Sequence, residues 1–140
     1  MGNIHTFDEN VKYDVAMDIA TLNGGSTAAN TETYFSMAEY DLAVFLVFTG
    51  TLAGSSAVTL QMRQSIGAAG TEADLGTAGA LTDADDNEIN VFQARGEELN
   101  VDDGYTHVGF LCTETGNNDA EVSVILLRMR PRYKHADLNA

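Results

Sequence analysis

The chain has 140 residues, with 21 acidic against seven basic side chains, a net charge of −14 and 44% apolar residues. That length fits one domain whose core needs neither metal nor disulfide, and the apolar content excludes a disordered chain. An acidic surface repels phosphate, which argues against nucleic acid as a partner, and no apolar run approaches the roughly 18 residues of a membrane-spanning segment.

Residues 1–10 read as an extended polar arm in which Ile4 and Phe7 are the large apolar side chains beyond Met1. No basic and apolar leader of a secretory signal is seen there. Val11, Tyr13, Val15, Met17 and Ile19 alternate with Lys12, Asp14, Ala16 and Asp18, which predicts a strand with the first set toward the core and the second in water. Asn23-Gly24-Gly25-Ser26 supplies a turn, and Thr31–Met37 a weaker strand. Leu42–Thr49 is apolar on both sides: Leu42, Val44, Leu46 and Phe48 share one face, Ala43, Phe45 and Val47 the other. Such a strand is covered twice within its own chain, or half covered by another subunit.

Val58, Leu60 and Met62 alternate with Thr59, Gln61 and Arg63 in a half-exposed strand. Residues 67–79, rich in Gly, Ala and Thr, predict a long loop, and residues 83–88 an acidic turn. Strands follow at Ile89–Ala94 and Tyr105–Thr113, with turns at Arg95–Glu98 and Asn100–Gly104. Glu114–Asp119 reads as a hairpin loop before a last strand, Glu121–Arg130, with Val122, Val124 and Leu126 on one face and Ile125, Leu127 and Met129 on the other. Seven or eight short strands without a convincing helix predict an all-β fold, a single β-sandwich or jelly roll over residues 11–130. Residues 131–140 form a basic tail after it.

Little of the sequence suggests chemistry. Asp83, Asp85 and Asn87 match the first ligand positions of a calcium loop, but Glu88 stands where glycine is needed and Ala94 where the bidentate glutamate belongs. His5, His107 and His135 have no partners at ligand spacing. The single cysteine, Cys112, lies in an apolar alternation and predicts a small core residue. The acidic pairs Glu97-Glu98 and Asp102-Asp103 sit in turns, where they read as solvated loop charge rather than a glycosidase pair. With no converging nucleophile, base and oxyanion donors, no enzyme and no cofactor are expected.

Charge is distributed unevenly. Residues 1–127 hold 20 acidic and three basic side chains, a local −17, while residues 128–140 hold four basic and one acidic, a local +3. Arg128, Arg130 and Arg132 fall on one side at strand period, with Tyr133 and Lys134 beside them. This cluster reads either as a solvated tail or as a docking strip for an acidic partner, including a second copy of the chain. Nucleic acid is a minor third reading. The candidate partner-interface residues are therefore Ile4, Phe7, Phe45, Val47, Arg128, Arg130, Arg132, Tyr133 and Lys134.

Three segments carry a family resemblance: Phe7–Leu22 (FDENVKYDVAMDIATL), Glu39–Gly50 (EYDLAVFLVFTG) and Val122–Tyr133 (VSVILLRMRPRY), the last ending in Pro131-Arg132. In this order the chain resembles the small head or minor structural proteins of tailed bacteriophages. The resemblance implies a β-sandwich virion component, made in the host cytoplasm and seated on the capsid as decoration or cement. It also implies the major capsid protein as partner and self-association, a trimer being preferred. Where that family carries a basic lead into the penultimate strand, this chain has Asp102-Asp103-Gly104-Tyr105, so contacts made by those bases are not expected here. Two other readings stand beside it. One is another particle part (neck, tail or fibre attachment). The other is a carbohydrate-binding or other ligand-binding sandwich, which the absence of tryptophan disfavours.

Overall fold

A computed structural model describes residues 11–23 and 33–131. Among the described residues nine strands run in chain order: β1 (Val11–Asn23), β2 (Phe35–Ser36), β3 (Tyr40–Leu52), β4 (Ala57–Ser65), β5 (Glu72–Asp74), β6 (Gly79–Thr82), β7 (Ile89–Arg95), β8 (His107–Glu114) and β9 (Asp119–Pro131). One sheet has the order β1-β9-β3-β7. The other has β2-β8-β4, with β5 and β6 paired to opposite ends of β4. All pairings are antiparallel. Apart from β4, β5 and β6, which share the second sheet, successive strands cross back and forth between the sheets, which is jelly-roll order. The all-β sandwich expected from the alternating sequence is what forms.

The core lies between the sheets. Ala43, Phe45 and Val47 of β3 and Val122, Val124 and Leu126 of β9 face Val58, Leu60 and Met62 of β4 and Val108, Phe110 and Cys112 of β8. The Phe45 and Phe110 ring centroids are 5.2 Å apart, and Phe92 meets Phe110 edge-on at 5.2 Å, a geometry aromatic pairs prefer. Gly109 is required by packing, because a Cβ there would sit 2.7 Å from the Tyr34 ring.

β1 departs from its predicted alternation. Val15 pairs with Ile125 but Met17 with Val124, and a second register shift precedes Ala20. Each shift is a bulge, one extra residue against the partner strand. Consecutive Ala16 and Met17 are both buried as a result. Before the first bulge the faces are the reverse of those expected: Asp14 points inward, while Tyr13 and Val15 are 55% and 59% exposed.

Residues 67–79 are also more ordered than a loop. Glu72–Asp74 pairs with the end of β4, and Arg63 reaches back to Asp74 at 2.9 Å and Glu72 at 3.5 Å. Backbone pairing and charge hold this strand, so it leaves no apolar rhythm to read. Glu114, expected in an exposed loop, is instead fully buried at the end of β8. Its carboxylate accepts from the amides of Ala57 (3.3 Å), Gly116 (2.6 Å) and Asn118 (3.3 Å), which fixes the β8–β9 hairpin.

Candidate docking face

Side chains directly opposite each other in antiparallel strands share a face. The registers of the four-stranded sheet therefore define its outer surface row by row. Tyr13, Leu127, Val44 and Gln93 form one row; Val15, Ile125, Leu46 and Val91 form the next; Ser123, Phe48 and Ile89 continue it. Val11, Met129, Leu42 and Arg95 make the row at the opposite end. The central side chains are half-buried by their neighbours, whereas Ile89 and Val91 on the β7 edge are 62% and 60% exposed. Strand spacing gives this surface a footprint of about 400 Å². That is the size of the largest apolar patch on an ordinary monomer, which is often functional.

Polar groups collect at one end of the face. Leu42, Gln93, Arg95, Glu97, Glu98 and Arg130 line an open cleft of about 460 Å³. Arg95 pairs with Glu97 at 3.6 Å, and the Glu98 carboxylate accepts from the Arg95 amide at 2.5 Å. Arg130 is exposed and has a positive φ of 54°. That kink breaks the strand period that was expected to align it with Arg128.

The structure redistributes the residues proposed from sequence. Phe45 and Val47 are fully buried against the second sheet and cannot contact a partner; the surface belongs to Leu42, Val44, Leu46 and Phe48 instead. Arg128 is not a docking side chain either, since it is only 11% exposed. Its guanidinium donates to Asp14 at 2.7 Å and to the Ser36 carbonyl at 2.7 Å, and lies 5.0 Å from the Tyr40 ring centre and 5.6 Å from that of Phe35. Arg128 thus closes one end of the gap between the sheets. Ile4, Phe7, Arg132, Tyr133 and Lys134 lie outside the described residues.

The acidic turn and Cys112 serve the fold, while His5 and His135 lie outside the described residues. Asp85 accepts from the Thr82 amide at 2.7 Å, Asp86 from the Leu52 amide at 2.6 Å and Asp83 from the Ser55 amide at 3.4 Å, so the acidic turn is tied down by backbone donors. Burial pushes the Cys112 thiol up to about 12, which leaves it protonated and unreactive. Burial, and then the nearby Arg128 charge, hold His107 below the usual histidine value. The outer face itself was only half legible in sequence. The Leu42–Phe48 alternation announced it, but the β1 bulge that swings Tyr13 and Val15 onto it leaves no signal.

No protein-family model and no curated protein sequence matches the chain. Among solved structures, a chain of the infectious bursal disease virus Gx strain aligns with a TM-score of 0.51 and 12% identity, over 89% of this chain and 33% of that one. The subviral particle of the same virus gives a TM-score of 0.51 and 12% identity, over 86% and 32%. A chain of the disulfide-linked pili that form Bacillus endospore appendages gives 0.45 and 15%, over 87% and 89%. This chain spans about a third of the length of the virus chains. At such identities the virus likeness is one of fold, a β-sandwich. Among the described residues no helix is long and apolar enough to cross a membrane.

Proposed function

We propose that the chain is a non-enzymatic structural component of a virus particle, a decoration or cement protein seated on the major capsid protein of a tailed bacteriophage. The observation that carries this reading is the apolar outer face of the β1-β9-β3-β7 sheet, on which no other described strand packs, on a chain of charge −14. Net charge keeps free copies soluble, while the face supplies the contact area. The β-sandwich likeness to the virus chains supports the reading at the level of fold. On a repeating lattice, weak contacts multiply, so residues 1–10 and 132–140, which lie outside the described residues, add contacts without needing high affinity of their own.

The test is co-sedimentation of the purified chain with expanded phage capsids. The wild-type chain is expected to bind in hundreds of copies, and Leu46→Lys to abolish binding while leaving the circular dichroism spectrum unchanged and lowering the melting temperature only slightly. Absence of particle binding by the wild-type chain overturns the reading. Binding at about six or twelve copies moves the chain to the neck or tail.

A further inference from the structure

The two edges of the four-stranded sheet differ. β1 carries two bulges and the charged Lys12, Asp14 and Asp18, features that blunt an edge against further pairing. β7 has none of these over Ile89–Gln93: its seven pairs with β3 run without a register shift, and it contains no proline. Two backbone bonds fix which of its groups face outward. The Thr49 amide bonds the Glu88 carbonyl at 3.0 Å, and the Arg95 amide is taken by Glu98. Asn90, Phe92 and Ala94 therefore bond β3, and the amides and carbonyls of Ile89, Val91 and Gln93 point away from the sheet. Among the described residues no strand pairs with that edge.

We propose that β7 pairs antiparallel with β7 of a second copy, centred on Val91, to give an eight-stranded sheet. In this register Ile89 lies opposite Gln93 of the second copy, and Arg95 opposite its Asn87, between the acidic Asp86 and Glu88. The chain thus brings a positive charge to a negative segment at both ends of the contact. Any other in-phase register pairs fewer strand residues or moves Arg95 off that segment. The two-fold axis stands normal to the sheet, so both apolar outer faces stay on one side. Their joined footprint is about 800 Å², the area one partner contributes to a standard specific interface. The pairing is two-fold, where the phage resemblance implies a trimer. Only its use on a particle rests on the assembly reading.

Cysteine crosslinking tests the register. The Cα atoms of a hydrogen-bonded antiparallel pair lie about 5.5 Å apart, within disulfide range. Under diamide, Val91→Cys is expected to oxidise to a covalent dimer. Ile89→Cys alone is expected to form no covalent dimer, but to crosslink when mixed with Gln93→Cys. Buried Cys112 does not interfere. In parallel, sedimentation of Val91→Pro removes one outward amide per copy and spares every bond to β3. A dimer constant about ten- to hundredfold weaker is expected, the equivalent of two strand hydrogen bonds. Equal crosslinking at all three positions, or a Val91→Pro dimer as tight as wild type, overturns the pairing. Leu46→Lys separates the two proposals: it is expected to leave the dimer intact while abolishing capsid binding.

Discussion

The inner and outer faces of the four-stranded sheet are built from nearly the same residues. β3 sends Ala43, Phe45 and Val47 inward and Leu42, Val44, Leu46 and Phe48 outward, and β9 does likewise with Val124 and Leu126 against Ile125 and Leu127. Yet the inner set is fully buried and the outer set is not. Hydrophobicity therefore does not choose the core. The second sheet does, by offering Phe110 and Leu60 to one face only. What is left over on the other face is a surface that no described strand covers.

Cavity formation measures that difference most directly. Phe45→Ala removes a ring from the packed centre and is expected to cost about 3–5 kcal/mol in urea unfolding. Leu46→Ala, one residue along and facing out, is expected to cost about 1 kcal/mol, because its half-buried side chain is partly in water already and its loss leaves no closed cavity. Equal costs would mean that the outer face is covered within the chain, and the comparison would fail. A loss between these two is expected at the closed end of the sandwich. Arg128→Ala leaves Asp14 inward-facing without its cation and opens the contact with Tyr40 and Phe35, for about 2 kcal/mol. Arg128→Lys should recover little, since a single ammonium cannot reach both Asp14 and the Ser36 carbonyl as the planar fork does.

The sequence carried the sandwich because alternation is a local signal: Val122, Val124 and Leu126 declare their face without reference to anything distant. It misassigned what depends on pairing. The bulge at Ala16–Met17 exists only relative to β9, so Tyr13 and Val15 were placed in the core when they belong outside. Phe45 and Val47 were placed at an interface because two equally apolar faces of one strand cannot be told apart until the opposing sheet is known. Arg128 looked like its neighbours in a basic run. Its role comes from Asp14, 114 positions away in the chain. β5 and β6 were missed because β4 holds them by backbone pairing across Gly- and Ala-rich sequence.

The smallest expected effect is a pH slope at that same closed end. His107 sits on β8 opposite Ser36 and Ser65, its Nδ1 2.9 Å from the Thr106 hydroxyl, with its ionisation lowered by burial and then by Arg128. The unfolded chain takes up a proton near 6.5, whereas the folded chain resists it. His107 therefore contributes its full stabilisation above 6.5. That contribution shrinks as pH falls below 6.5 and is lost once pH passes through the folded value. Urea midpoints measured at pH 7.5 and pH 5 are expected to drop less in His107→Gln than in the wild-type protein, the difference isolating this one ring from the carboxylates. An Arg128→Ala background should shrink the difference further by removing the neighbouring charge. If the His107→Gln slope matches wild type in both backgrounds, the ring is solvated and Arg128 closes that end of the sandwich less tightly than its contacts with Asp14 and Ser36 imply.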